Sequence, residues 1–292
     1  MPGMLLPGAF MFGASLFNAS LARGASPASV PFTPPAWTLL PSTPALPPPD
    51  STGFLEIQGA RLFHARFGTG EPILLLHGGL ANANYWGHLI PVLARTRQVL
   101  VMDTRGHGRS TLGEAGLSYP LLARDALALL DAVDIPRLPV IGWSDGGIVG
   151  LALAMMAPRR VSRLFTSGAN YNRAGGRPDA QSHPTVRAYE VRCGREHHAM
   201  SPRTESFDRL RQALGRMWRG GPDYTPAQLA GIRIPATIAA GEHDEFITTA
   251  HTHALATAIP GARLVIQSGL SHFALLQDPA RFAADVIRFL NT

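Results

Sequence analysis

Ser144 is the residue of this chain best suited to act as a nucleophile. It lies in the pentapeptide Gly142-Trp143-Ser144-Asp145-Gly146. This is the G-x-S-x-G pattern of a nucleophile elbow, in which a strand ends, turns sharply and continues as a helix with the serine at its tip. The glycines permit a close approach of the backbone that a side chain would block. Because an apolar strand and an apolar helix are expected on either side, the pattern favours a nucleophile over an incidental helix-capping serine.

A serine hydroxyl needs a base to accept its proton, and His272 is the best placed of the 11 histidines. It follows the last predicted strand, and open parallel sheets present functional residues at the carboxyl ends of their strands. By contrast, His251 and His253 fall inside a predicted helix, and His197 and His198 fall in a segment without strands. We therefore predict that His272 is the base.

An acidic residue is required to fix the tautomer of the imidazole. Asp244 follows a predicted strand at 236–239 and is our candidate, with Glu242 and Glu245 as close competitors. The chain order of serine, then acid, then histidine is the one expected when a G-x-S-x-G serine is the nucleophile.

Backbone N–H groups must also stabilise the oxyanion that such a serine generates. The turn His77-Gly78-Gly79-Leu80 follows a predicted strand, and either Gly79 or Leu80 can supply one donor. The N–H of Asp145, the residue after the serine, is the expected second donor. His77 is interpreted as a structural hydrogen-bonding residue.

No cofactor or metal is expected. The single cysteine, Cys193, cannot build a zinc site or a disulfide, and it is interpreted as a packed thiol. Asp103 and His107 lie in a loop rich in turn residues and lack further metal ligands, so that loop is interpreted as structural.

Together these motifs resemble the α/β-hydrolase superfamily, and in particular its bacterial serine hydrolases with a small helical cap. The resemblance rests on five motifs in family order, His77-Gly78-Gly79, Asp103-x-Arg105-Gly106-x-Gly108-x-Ser110, Gly142-x-Ser144-x-Gly146, Gly241-x-x-Asp244 and Ser271-His272-Phe273. It strengthens the choice of Asp244. Relatives that open epoxides or remove halides have an aspartate as the nucleophile, and because Ser144 stands there we discount those activities.

The elements that must position these residues alternate between strand and helix. This alternation predicts an α/β class with a doubly wound, mainly parallel sheet. The predicted strands are 54–58, 61–67, 73–76, 99–102, 139–142, 161–166, 236–239 and 264–266, and the predicted helices are 85–95, 121–133, 145–156, 204–218, 248–259 and 279–290. The alternation stops over 172–231, which we interpret as a helical cap inserted into a hydrolase domain of residues 51–292.

The first 50 residues differ in composition from the rest. Residues 1–26 are interpreted as a signal peptide or a disordered tail, and an uncleaved membrane anchor is a third possibility. The signal-peptide interpretation slightly favours export over a cytoplasmic location. Residues 27–50 hold nine of the 25 prolines and are interpreted as an extended linker.

All of the basic residues counted in the net charge are arginines. The 26 basic residues include no lysine, and the formal net charge is +6. The arginines are scattered and accompany no nucleic-acid-binding motif, so no nucleic-acid partner is expected, nor stable membrane insertion. Ten of the arginines fall in the 172–231 segment. They are either a solvated face or a means of attracting an anionic substrate.

The expected function is hydrolysis of a carboxylic ester or lactone of a small molecule through an acyl-enzyme on Ser144. The alternatives are a carbon–carbon bond or enol-lactone hydrolase acting on an anionic intermediate of aromatic breakdown, a perhydrolase, and a non-catalytic ligand-binding protein. The candidate substrate-binding residues are Tyr171, Trp218 and Phe246, whereas Trp143 and Phe273 are expected to belong to the core.

Overall fold

The structure is a computed structural model, and it describes residues 34–203 and 205–292. The signal-peptide interpretation of residues 1–26, and the start of the proline-rich segment up to residue 33, lie outside this range.

Eight strands form one sheet in the order β1-β2-β4-β3-β5-β6-β7-β8. Strand β2 runs antiparallel to both of its neighbours, and all pairs from β4 to β8 are parallel. The predicted doubly wound α/β class is confirmed. The strands are β1 Ser51–Ile57, β2 Ala60–Phe67, β3 Glu71–Leu76, β4 Arg97–Met102, β5 Leu138–Trp143, β6 Val161–Ser167, β7 Ala236–Gly241 and β8 Arg263–Gln267.

The central strands are buried on both faces, as their continuous apolar sequences predict. In β3, Leu74 and Leu76 pack into one hydrophobic cluster, while Ile73 and Leu75 pack into a second. Successive side chains of a strand point to opposite faces, so the two clusters lie on the two sides of the sheet.

Helices connect the strands. They are α1 Ile90–Leu93, α2 Tyr119–Ala132, α3 Asp145–Met156, α4 Pro184–Met200, α5 Phe207–Gly220, α6 Pro226–Leu229, α7 Thr249–Ala258, α8 Ala274–Gln277 and α9 Pro279–Leu290. The prediction of one helix over 85–95 is wrong. The structure has a 3₁₀ turn at Ala83–Trp86 and the short α1, because Gly87 separates them and Pro91 opens the second.

The segment without strands contains α4, α5 and α6, between β6 and β7. The prediction anticipated α5 approximately and missed α4. Helix α4 has only a weak apolar stripe of Val186, Tyr189 and Cys193. Its other side chains include five charged residues and two histidines, which are Arg187, Glu190, Arg192, Arg195, Glu196, His197 and His198.

The interpretation of residues 27–50 as a linker needs correction for its described part. Residues 34–50 contain one 3₁₀ turn, Ala36–Thr38, and no other regular element. Yet this proline-rich strap packs on the domain, and Pro34–Thr292 form one unit. Leu40 and Leu46 pack against the second hydrophobic cluster. Composition alone could not show this docking, because polyproline-like chain is equally extended when free.

Within residues 34–203 and 205–292, no helix has both the length and the apolar character needed to span a membrane.

Candidate active site

Ser144 lies at the junction of β5 and α3, where the backbone reverses direction. Its φ of 55° and ψ of −123° are unusual for a non-glycine residue and are typical of a strained turn at a functional site. A side chain at Gly142 would collide with the Gly146 carbonyl, and one at Gly146 would collide with the Leu76 carbonyl. The glycines of the pentapeptide therefore allow α3 to pack directly against the sheet.

His272 and Asp244 are joined by a hydrogen bond. The distance from His272 Nδ1 to Asp244 Oδ2 is 2.8 Å, and both side chains are buried. The other carboxylate oxygen, Asp244 Oδ1, accepts the N–H groups of Phe246 and Ile247, each at 2.8 Å. The carboxylate is therefore held in place by the backbone of its own loop while it contacts the imidazole.

The two competing acids occupy different positions. Glu242 is at the surface, where its carboxylate accepts the Ser268 hydroxyl and the Gly269 N–H. Glu245 is buried, and its Oε2 accepts the backbone N–H of His272 at 3.0 Å. Of the three acids, Asp244 is the one bonded to the imidazole.

The electrostatic environment of His272 favours its protonated form. Burial lowers the pKa of His272, but the charge and the hydrogen bond of Asp244 outweigh that effect, with smaller contributions from Glu245 and Asp145. The net result is a pKa above the ordinary value, as expected for an imidazole that must accept a proton and hold it for a time.

Ser144 and His272 both line a cavity of about 1000 Å³. Among the described residues, no hydrogen bond joins the Ser144 hydroxyl to the imidazole. Such bonds are often long without substrate and tighten in the complex.

The structure separates the two candidates for the oxyanion donor. The N–H of Leu80 donates to His107 Nε2 at 3.0 Å, so Leu80 is no longer a good candidate. Gly79 lines the same cavity as Ser144, and its N–H has no protein acceptor among the described residues. Asp145 begins α3, where the first N–H groups of a helix have no partner within the helix.

The neighbouring loops have structural roles. His77 Nε2 accepts the N–H of Thr104 at 3.0 Å, and burial lowers the pKa of His77 to about 4, so this ring is neutral. Asp103 accepts the N–H groups of Ala83 and Arg109. These bonds hold the loop after β3 against the loop after β4, which agrees with the structural roles expected for His77 and for the Asp103 loop.

Cys193 is buried in α4, and burial raises the pKa of its thiol to about 12. The thiol is therefore protonated at neutral pH and is a poor nucleophile.

A family model described as the alpha/beta hydrolase fold matches residues 71–192, which include the Ser144 turn. A putative carbamate hydrolase RutD from Azorhizobium caulinodans is 32% identical over 227 residues, covering 70% of this chain and 85% of that protein. The chain belongs to the α/β-hydrolase fold family.

Solved structures of this hydrolase fold extend the likeness to the whole domain. A hydrolase from Pseudomonas aeruginosa PA01 is 26% identical, with a TM-score of 0.68 and coverage of 83% of this chain and 99% of that one. Est816, described as an N-acyl homoserine lactone degrading enzyme, is 25% identical, with a TM-score of 0.69 and coverage of 81% and 100%.

Two of the three predicted substrate-binding residues of this α/β hydrolase line the cavity. Trp218 and Phe246 do so, and the Phe246 ring centroid is 4.5 Å from that of His272. The prediction that Tyr171 binds substrate needs correction, because Tyr171 does not line the cavity. It stacks on His251 with centroids 4.1 Å apart, an interaction that sequence could not reveal because 80 residues separate the two. Trp143 and Phe273 are fully buried, as predicted.

Sequence reasoning missed the surroundings of the Asp145 side chain. Its Oδ1 accepts the Tyr119 hydroxyl, and its Oδ2 accepts Trp218 Nε1, both at 2.8 Å. The one sequence signal for these contacts is the acidic residue directly after Ser144. All three side chains line the cavity.

The cavity is also lined by five arginines. They come from the segment between β6 and β7 and are Arg173, Arg177, Arg187, Arg211 and Arg219. All five are exposed, whereas His272 is buried, so the arginines form the outer part of the cavity.

Proposed function

We propose that this chain is a serine hydrolase that cleaves a carboxylic ester or lactone of a small molecule through an acyl-enzyme on Ser144. The observation that carries the proposal is the position of Ser144, on a strained turn that opens into the same cavity as an imidazole bonded to a buried carboxylate. A non-glycine residue with a positive φ is strained, and such strain is concentrated at functional sites. The strained serine and the His272–Asp244 pair therefore support a catalytic role for Ser144.

The proposed reaction assigns one step to each of these residues. His272 Nε2 accepts the proton of Ser144 as its hydroxyl oxygen attacks the acyl carbon, and Nδ1–H donates to Asp244 throughout. The N–H groups of Gly79 and Asp145 stabilise the oxyanion. The leaving alcohol takes the proton from Nε2. Water then attacks the acyl-enzyme by the same route and regenerates Ser144.

In this proposal, the segment 172–231 acts as the cap. It supplies Trp218 and the arginines that line the outer cavity, and it limits access of water and substrate. The relatives support a hydrolase of small acyl compounds, since one is named for carbamates and another for acyl homoserine lactones.

The test is hydrolysis of p-nitrophenyl esters with acyl chains of increasing length by the full chain, beside Ser144→Ala. We expect the wild type to turn over and the variant to lose activity by roughly 10⁴-fold or more, because no other group replaces the nucleophile. Labelling with a fluorophosphonate, followed by mass spectrometry, should place the adduct on the peptide containing Ser144.

Ser268→Ala is the matched control, because Ser268 is exposed and its hydroxyl contacts Glu242 away from the cavity. It should keep wild-type rates and labelling. Equal rates for the wild type and Ser144→Ala would refute the proposal.

The five cavity arginines favour a second candidate, hydrolysis of an enol-lactone or a carbon–carbon bond in an anionic substrate. Arg211 is paired with Glu190 at 2.6 Å, and Arg177 donates to the Asp244 carbonyl at 2.8 Å. Arg187 makes only a long bond of 3.5 Å to the Gln181 carbonyl and is freer to meet a ligand.

Arg187→Ala should therefore raise KM for anionic substrates and leave neutral esters unchanged. A uniform effect on both substrate classes would argue against an anionic substrate. Arg95 is exposed and does not line the cavity, so Arg95→Ala is the control for the loss of one positive charge.

A further inference from the structure

The Asp145 carboxylate lies beside both proposed oxyanion donors. It belongs to the residue that supplies one N–H group, and it also lies against the residue that supplies the other. A methyl group placed on Gly79 would be 2.5 Å from Asp145 Oδ2. The oxyanion of the tetrahedral intermediate therefore forms close to a carboxylate.

This placement has an electrostatic cost for the reaction. A negative charge near a developing oxyanion disfavours the transition state, and the effect is stronger in a cavity that excludes water. Burial raises the pKa of Asp145, and the hydrogen bonds from Trp218 Nε1 and the Tyr119 hydroxyl, with the charge of His272, counteract part of this effect. The two bonded groups carry no charge themselves. Within the described part of the chain, Asp145 has no arginine or histidine within ion-pair distance.

The carboxylate can still accept further hydrogen bonds. Each of its oxygens has one protein donor, and an ionised carboxylate offers about four lone-pair positions. Asp145 is half-buried and lines the cavity next to Ser144, so a bound acyl group passes within its reach. A cation there would satisfy the carboxylate and offset its repulsion of the oxyanion.

We propose that Asp145 forms a subsite for an ammonium group carried on the acyl part of the substrate, next to the carbonyl that Ser144 attacks. The substrates are then esters of short amino acids that keep a free amino group. Tyr119 and Trp218 hold the carboxylate in position, and the exposed arginines further out are left to contact the leaving group. This inference rests on the proposed serine hydrolase function and specifies its substrate class.

The experiment compares two esters of the same shape on the full chain, L-alanine benzyl ester and isobutyric acid benzyl ester. They differ in an ammonium group that replaces a methyl group. Each kcat/KM is divided by the rate constant of alkaline hydrolysis of that ester, which removes the difference in intrinsic reactivity. We expect a corrected preference of at least tenfold for the alanine ester.

Asp145→Asn should abolish this preference by lowering the rate with the alanine ester at least tenfold. The readout is the ratio of the two rates, because Asp145 also supplies a proposed oxyanion N–H and the variant can change the hydrolysis of both esters together. Glu114→Gln is the control, since it removes one negative charge from an exposed side chain outside the cavity. It should keep the preference.

A second measurement needs no variant. L-Alaninamide should inhibit hydrolysis of the neutral ester by the wild type at least tenfold more strongly than isobutyramide does. Equal inhibition by the two amides, or a preference that Asp145→Asn leaves intact, overturns the ammonium subsite while the serine mechanism stands. If the wild type hydrolyses neither ester and labels no serine, the proposed function fails together with this inference.

Discussion

Two consecutive acids after β7 contact the same histidine through different atoms. Asp244 bonds the imidazole at Nδ1, and Glu245 bonds the backbone N–H of His272. The first contact controls the protonation and orientation of the ring, whereas the second holds the chain that carries it. The consequences of removing them should therefore differ.

Asp244→Asn should lower kcat/KM by roughly 10⁴-fold, because the amide no longer fixes the tautomer that the reaction needs. The base must be neutral to act, so activity rises as the pH passes the pKa of His272. Since Asp244 raises that pKa, its loss should move the rising limb of the pH profile to lower pH. The profile of kcat/KM from pH 5 to 9 measures this. An unmoved limb would contradict the assignment of Asp244.

Glu245 is a buried group whose second oxygen, Oε1, has no hydrogen-bond partner in the described part of the chain. Burial raises the pKa of Glu245, and the nearby His272 and its N–H counteract part of this effect. We expect Glu245→Gln to keep the bond to the His272 N–H and to retain most of kcat. Glu245→Ala should lose roughly tenfold or more in kcat, because the His272 loop is no longer held.

Steady-state kinetics of the two variants distinguish positioning from general stability. Thermal unfolding of each variant is the control. Equal losses of kcat in Glu245→Gln and Glu245→Ala would show that the charge, and not the hydrogen bond, is what matters.

At the scale of elements, a buried ion pair connects the loop after β4 with α2. Arg105 Nε lies 2.5 Å from Asp125 Oδ2, and the two side chains are 0% and 2% exposed. Arg105 also donates to the Ile57 carbonyl at the end of β1 at 3.2 Å. One guanidinium therefore joins the first hairpin, a loop close to the site, and a helix packed on the sheet.

Asp125→Ala should lower the free energy of unfolding by about 3–5 kcal/mol, because it leaves an unpaired guanidinium in the core. Urea denaturation measures the change. The double variant Arg105→Met with Asp125→Leu should recover much of the loss, since two apolar side chains need no partner. A double variant as unstable as Asp125→Ala would show that the contacts of Arg105 with β1 dominate.

At the scale of the whole molecule, the proline-rich strap connects the segment 172–231 with the loops of the candidate site. Arg192 of α4 donates to the carbonyls of Leu40 and Pro41 at 2.7 and 2.5 Å. Trp37 stacks on His243, the residue before Asp244, with centroids 4.4 Å apart. Each contact pairs a strap residue with an element of the cavity wall.

A third contact reaches the loop of the predicted base. Gln277 donates to the Leu39 carbonyl at 2.8 Å and also bonds Ser271, the neighbour of His272. The strap therefore supports both sides of the cavity.

A protein truncated to residues 51–292 should be less stable than one of residues 34–292 by at least about 2 kcal/mol, because hydrogen bonds to a charged group such as Arg192 are among the stronger ones. It should also have a lower kcat/KM. Chemical denaturation and ester hydrolysis of the two proteins test this. Arg192→Ala in the longer protein isolates the contact with the cap segment. Indistinguishable proteins would show that the strap is dispensable.

The sequence alone predicted the fold class, which the structure confirms, and the candidate residues of the site. The continuous apolar strands, the glycines around Ser144 and the strand-end position of His272 are local signals, and each follows from short-range geometry. The choice of Asp244 over Glu242 and Glu245 rested mainly on the resemblance to the α/β-hydrolase superfamily. Local signals place residues on elements. Because the carboxyl ends of parallel strands meet at one edge of a sheet, they also predict which residues converge.

Only the tertiary structure decided the contacts between residues far apart in the chain. The N–H of Leu80 is occupied by His107, Tyr171 is stacked on His251, and the strap is docked on the domain. The carboxylate of Asp145 meets Tyr119 and Trp218 from two different helices. Hydrogen bonds and packing are satisfied by whichever groups the fold brings within a few ångströms, and no local pattern in the chain encodes that choice.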